Sequence, residues 1–444
     1  MIDLLRNWFP TLRITWAIVA IVVTAVASTW LPVLLWVAYI VTLCTIAACV
    51  IDTVLLWSGR VSVSAERQCD QRLSNGEFNP IAVHVKAEAP FATQLTILDE
   101  VPIQLQERSL TFDWMNSGTD TITFSYEIRP VARGVLRFGA INVFVRTRLG
   151  LIQRRFTRDA ERAVEVHPSI MEMRRAEIAT FSNRQHRLGI HKQRRLGHTM
   201  EFEKISTYTT GDDLRTVNWK ATARRNSLMV NQYQDERSQD IYSVIDLGRS
   251  MRFSHNGMTF LDHAINASLA FSNVVLKKQD RAGLLTYGAH EAKILPANAG
   301  NAQLAAVMKG LYAIETEFEQ SDDDRLVDLV RRRLPSRTLL MLYTNIESVD
   351  AARRRLPAFR LLSRSHVLVV NFFDNTGIRA TVDQEPQTME DIYRQTIARA
   401  TLMEKNEIRA ELRRAGIYTV LSAPQSLSIA SINAYLDLKT RGLV

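Results

Sequence analysis

The chain has 444 residues, too many for a single core to be the default, and its 46% hydrophobic share is that of a globular protein with an apolar excess at one end. A formal net charge of +9 points to an anionic surface, nucleic acid or membrane. Three cysteines, Cys44, Cys49 and Cys69, are too few and too irregularly spaced for a disulfide framework or a thiolate metal site.

From Ile14 to Trp57 the only charged residue is Asp52. This length suits two spans of roughly 20 residues, broken at Ser28-Thr29-Trp30-Leu31-Pro32, where Pro32 can open the second helix. Arg6 and Arg13 precede the pair, Arg60, Arg67 and Arg72 follow it, and the turn carries no basic residue, so both ends face the cytoplasm by the positive-inside rule. The expectation is a transmembrane hairpin over residues 1–58, a multi-pass anchor in the inner membrane with the soluble domains cytoplasmic. The rival is a cleaved signal peptide ending near Ala25-Val26-Ala27.

Residues 59–167 change to a period of two, as at Ile81, Val83 and Val85, at Ile122, Phe124, Tyr126 and Ile128, and at Ile141, Val143 and Val145. Turn signals at Ser74-Asn75-Gly76, Asn116-Ser117-Gly118, Arg133-Gly134 and Leu149-Gly150 divide the runs. The pattern predicts an antiparallel β-sandwich of roughly seven strands. Residues 168–200 read as a basic connector, solvated or facing anionic lipid, with three histidines but no carboxylate or cysteine at ligand spacing.

Residues 201–444 alternate strand and helix, which predicts a doubly wound, mainly parallel α/β domain. Strand-like runs are Ile241–Ile245, Ala282–Tyr287, Leu339–Tyr343, Val367–Phe373 and Ile417–Leu421. The first run ends on Asp246-Leu247-Gly248-Arg249-Ser250 just before a helix, and ligands of open α/β sheets bind beyond strand carboxyl ends. Asp246 and Ser250, with Ser321 and Asn345 from later loops, form a candidate oxygen-ligand set for a hard cation. The set resembles the metal-ion-dependent adhesion site of von Willebrand factor type A domains, which opens with D-x-S-x-S. It departs twice: Gly248 replaces the first serine and Asn345 the later aspartate, which removes a negative charge and leaves space beside Gly248 for water. The implied cofactor is none, or a weakly bound Mg²⁺.

Ahead of that strand lies a polar-aromatic stretch with Phe202, Tyr208, Gly211, Asp212, Asp213, Arg215, Trp219, Thr222 and Arg224. The paired acids invite a general acid/base reading; a buried Trp219 beside an Asp–Arg network that pins the turn is the structural alternative. The Asp322-Asp323-Asp324 run supplies negative charge to the first turn of a helix. No nucleophile elbow, phosphate loop, HExxH or CxxC occurs, so no enzyme chemistry is expected.

Through Glu201-Phe202, Tyr208, Gly211-Asp212-Asp213, Arg215, Trp219 and Ala221–Arg224, then the strand to Asp246, the whole chain resembles the bacterial "domain of unknown function 58" membrane protein family. That resemblance implies a von Willebrand A-like domain in residues 201–444. It also implies a non-enzymatic adaptor for a MoxR-type AAA+ ATPase, acting at the membrane on assembly or maturation of other membrane or envelope proteins. Alternatives are a metal-assisted hydrolase using Asp212, Asp213 or Asp246, and nucleic-acid or anionic-lipid binding through residues 174–195. Nucleic acid lacks support there, because only Phe181 could stack on a base.

Overall fold

The computed structural model describes residues 6–58, 60–105, 110–158, 160–186, 201–209, 217–225, 227–234, 238–335, 337–374, 378, 382 and 386–444. It divides into two compact units, Met1–Ser169 and Ile170–Val444.

In the first unit a short strand β1 (Trp8–Pro10) precedes helix α1 (Leu12–Ala27), and a turn leads into α2 (Val33–Trp57). The two helices pack together and expose apolar side chains along their lengths. Among the described residues only α2 is long and apolar enough to cross a membrane; α1, at 16 residues, is shorter than the expected span. Asp52 does not lie among lipid-facing residues. It is fully buried at the base of α2 and accepts hydrogen bonds from Leu151 N (3.0 Å), Ile152 N (3.0 Å) and Thr147 Oγ1.

The β region has more strands than expected: β2 (Ser62–Gln68), β3 (Arg72–Ser74), β4 (Asn79–Glu88), β5 (Thr93–Asp99), β6 (Leu110–Asn116), β7 (Thr119–Ile128), β8 (Gly134–Phe138), β9 (Ile141–Thr147), β10 (Ile152–Arg158) and β11 (Arg162–His167). They form sheets ordered β1-β10-β9-β5-β6, β2-β4-β7 and β3-β11-β8. Alternation buries Ile81, Val83 and Val85 of β4 against Leu95 and Ile97 of β5 and Val143 and Val145 of β9. Inside this core Arg67 donates to Asp99 and to the Ala160 and Gly139 carbonyls, and Tyr126 OH also reaches Asp99 (2.5 Å), so the buried charge is paired.

The second unit begins with α3 (Ile170–His186), which takes up the first half of the expected basic connector. Ala176 sits in the core, while Glu177 accepts from Asn273 (3.0 Å) and pairs with Lys277, so this segment is packed rather than solvated. Strands β12 (Glu201–Thr207) and β13 (Met229–Gln234) form an antiparallel ribbon around α4 (Trp219–Arg225). The main sheet follows. Its elements are β14 (Asp240–Asp246), the small ribbon β15 (Ser254–His255) and β16 (Met258–Thr259), α5 (Phe260–Lys277), β17 (Arg281–Tyr287), β18 (Ala292–Asn298), α6 (Asn301–Tyr312), α7 (Asp323–Arg333), β19 (Leu339–Tyr343), α8 (Val349–Ser365), β20 (Val367–Phe373), α9 (Met389–Arg414), β21 (Tyr418–Ser422) and α10 (Leu427–Thr440).

The sheet order is β18-β17-β14-β19-β20-β21, parallel except for the edge strand β18. Both faces are covered. Ile241 and Ile245 of β14 enter one core with α3, α5, α6 and α10, whereas Tyr242 and Val244 enter the other with α7, α8 and α9. The chain leaves β14 toward β17 on one side and returns to β19 on the other, so the winding direction reverses between β14 and β19. The carboxyl ends of those two strands frame a crevice.

Candidate functional site

Four loop ends meet in that crevice: the end of β14 with the turn Leu247–Ser250, the segment before α7, the end of β19, and the first turns of α8. Asp246 is buried at its floor. Its Oδ1 accepts from Gly248 N (2.9 Å) and from Ser321 Oγ. Its Oδ2 accepts from Thr344 Oγ1 (2.5 Å) and Arg355 Nη2 (3.1 Å). Two hydrogen bonds at each oxygen leave the carboxylate no easily reached lone pair.

Arg355 is the centre of this cluster. Its Nε and Nη2 grip Asp323 in fork geometry (2.8 Å each), Nη2 also donates to Tyr287 OH (2.7 Å), and Nη1 donates to Thr344 Oγ1 (2.7 Å). Burial alone pushes the guanidinium down, but Tyr287, Asp323 and Asp246 more than offset this and hold it well above its ordinary range. Burial also pushes the Tyr287 phenol well up. The Asp322–Asp324 run has divided duties: Asp322 caps α7 by accepting from Asp324 N (3.0 Å) and Arg325 N (3.2 Å), whereas Asp323 turns inward to Arg355.

The four residues expected from sequence, Asp246, Ser250, Ser321 and Asn345, all line this crevice. Asn345 Nδ2 donates to the Ser250 carbonyl (3.3 Å), while Asn345 Oδ1, on a residue only 6% exposed, has no hydrogen-bond partner. Arg249 and Arg354 project from the rim, and the exposed ring of Phe318 lies beneath the Arg252 guanidinium at 3.8 Å. Glu347 is the carboxylate on the same rim.

Gly248 corrects one expectation. A Cβ at this position would lie 2.4 Å from Ser321 Oγ and 2.9 Å from Ser321 N, so there is no room beside it for a serine or a substituting water. The departure from D-x-S-x-S is a closer packing of two loops, not a vacancy. The cation set is altered further by Arg355, which places a fixed positive charge on the one acid among the four candidate ligands. A hard dication favours anionic oxygen ligands, so these residues as arranged fit it poorly.

Sequence reasoning missed Arg355, Thr344 and Tyr287. The available signal was Arg355's position on the buried stripe of α8 with Ala352, Leu356 and Phe359, where an arginine without a purpose is costly.

The preceding stretch gives less. Gly211, Asp212, Asp213 and Arg215 lie outside the described residues. Phe202 is in β12, next to a bulge, and pairs with Tyr233. Tyr208 N bonds the Leu228 carbonyl at 2.8 Å. Trp219 is not buried: it is 72% exposed at the start of α4. Asn218 does the pinning instead. Its Oδ1 caps α4 through Ala221 N (3.0 Å) and its Nδ2 reaches Asn231 Oδ1 (2.8 Å), because the first amides of a helix need an acceptor that an indole cannot supply. Thr222 Oγ1 accepts from Met229 N (3.0 Å), and Arg224 is exposed in the last turn.

Residues 204–420 match the family model described as "Protein of unknown function DUF58". The chain is also similar to the uncharacterized protein YeaD of Bacillus subtilis, 23% identical over 267 residues, which is 56% of this chain and 62% of that protein. Together these matches support the DUF58 family. Among solved structures, the CARDB domain of PF1109 from Pyrococcus furiosus overlaps 24% of this chain and 94% of that one (14% identity, TM-score 0.17). Proximal thread matrix protein 1 of the mussel byssus overlaps 46% of this chain and 47% of that one (11% identity, TM-score 0.26). Overlaps this loose assign no fold.

Proposed function

With the DUF58 match as premise, we propose that this chain is a membrane-anchored, non-enzymatic adaptor whose crevice between β14 and β19 binds a partner protein. One observation carries the reading. The crevice acid is fully engaged by a structural arginine, and the groups left free are those of recognition, Arg249 and Arg354 on the rim. Exposed Phe318 under Arg252 adds the aromatic–arginine composition of a binding hot spot. A hydrolase reading would need Asp246 free to act as base, and its four donors oppose that.

The α/β unit is read as von Willebrand A-like on its sheet order and on the placement of Asp246, Ser250, Ser321 and Asn345 at one strand-end crevice. Arg355 stands in for the cation, so capture is independent of Mg²⁺. The anchor is read as a hairpin because β1 precedes α1, β10 follows α2, and the two strands pair: Trp8 with Arg154, Phe9 with Gln153 and Pro10 with Ile152. Both ends of the helical pair must lie on one side of the bilayer, which a single crossing forbids. The soluble parts then lie on the cytoplasmic side by the positive-inside rule. A MoxR-type AAA+ ATPase is the partner that the family resemblance implies.

The test is a photo-crosslinking amino acid at Gln320, beside the crevice, in living cells, with adducts identified by mass spectrometry. We expect capture of an AAA+ ATPase that survives chelation of divalent ions. In an Arg249→Glu/Arg354→Glu double variant capture should fall by about tenfold. Capture unchanged in that variant would remove the crevice from the interface; capture of envelope proteins with no ATPase would overturn the partner.

A further inference from the structure

From the placement of the β9–β10 turn we infer that its tip, Arg146–Gly150, is a docking surface for anionic phospholipid headgroups. The inference rests on the reading that α1 and α2 enter the bilayer. The tip is held where those helices would emerge. On one side Thr11 Oγ1 donates to the Gly150 carbonyl (2.6 Å), and Arg13 Nη1 donates to the Arg148 (3.1 Å) and Leu149 (2.9 Å) carbonyls, which ties the tip to the first turn of α1. On the other, Asp52 near the end of α2 accepts from Thr147, Leu151 and Ile152. The tip therefore cannot leave the level at which the apolar helices begin, which is headgroup depth.

Its composition fits that depth. Leu149 is 48% exposed on the turn, Arg148 is exposed and its side chain engages no partner, and Arg146 beside it is half-buried. Besides Arg146 and Arg148, the paired strand brings Arg154 opposite Val145 and Arg155 opposite Phe144, no acidic residue lies between Ile141 and Arg158, and the nearby Asp52 is consumed by its own hydrogen bonds. Guanidinium groups match phosphate oxygens in fork geometry, and an apolar tip residue shares the interfacial layer with them.

The test uses the full chain in vesicles of phosphatidylcholine, alone or mixed with phosphatidylglycerol, with a photo-crosslinker at Leu149. Leu43, exposed on α2, reports the bilayer. Ile103 is the distal control: β5 runs antiparallel to β9, so the residues after Asp99 lie at the far end of the sheet, roughly 20 Å from the tip. Lipid adducts are expected at Leu43 and Leu149 but not at Ile103. Enrichment of phosphatidylglycerol at Leu149 should fall by about fivefold for each of Arg146→Gln and Arg148→Gln. Lipid at Leu43 without lipid at Leu149 overturns this inference alone. No lipid at either position overturns the spanning reading and this inference with it. Phosphatidylglycerol capture unchanged in the arginine variants overturns the headgroup site.

Discussion

Arg355 carries a charge into a core, and the surroundings explain why it stays there. Two carboxylates, a phenol and a threonine hydroxyl receive its N–H groups, so the cost of leaving water is offset by fork-shaped, charge-assisted bonds. Replacing it with methionine keeps bulk and strands Asp246 and Asp323. Denaturant unfolding of the purified protein should show a loss of about 3–5 kcal/mol; a loss under about 1 kcal/mol would mean the cluster is not a working ion pair. A second buried residue gives the pH dependence. Burial holds the His366 imidazole below its ordinary range, where Nδ1 meets Thr338 Oγ1 at 2.6 Å. The unfolded chain therefore takes up this proton at a higher pH than the fold does. Stability contributed here falls as pH drops from about 6.5 toward the depressed value. The unfolding midpoint should drop more between pH 7 and 5 in the native protein than in His366→Gln; parallel curves would refute the assignment. His366 carried no sequence signal of this role, and Arg355, in an Arg353–Arg355 run, was marked only by its helical spacing from Ala352 and Phe359, which sets it apart from the two exposed arginines before it.

At the scale of elements, most of the secondary structure was readable because the central strands of the second unit are continuous apolar runs and its helices α7 and α8 carry an apolar stripe. The parallel strands lie within a residue or two of the apolar runs. What escaped lacks a period. Strand β18 is a half-exposed edge that contains Pro296, and β1 is three residues abutting a helix. The role of Asp52 also escaped, since a lone acid in an apolar run reads as a membrane residue until its acceptor geometry is seen. Asp52→Leu should leave the Leu151 and Ile152 amides and the Thr147 hydroxyl without their acceptor, at about 1–3 kcal/mol for each buried group. Hydrogen exchange at Leu151 and Ile152 should quicken while that of β4 stays slow. Protection unchanged at both amides would show that the helix base is not what holds β10.

At the scale of the whole molecule, the passage from the β region to the α/β unit was visible as a change of period, and the crevice as a strand ending on Asp246. The switch of winding between β14 and β19 was not, because a list of strands carries no neighbour order. It is this switch that brings Thr344 and Asn345 beside Asp246, from about a hundred residues away in sequence.

The pairing of β1 with β10 bears on how the protein is made. The chain's first strand leaves the ribosome more than a hundred residues before its partner, with both apolar helices between them. On the proposed hairpin topology, it must wait on the side where the rest of the sheet will fold. A chain whose first helix were inserted backwards would then strand β1 across the bilayer and leave β10 with an open edge beside β9. Closure of that edge would on this reading be a check on topology, passed only by correctly threaded chains.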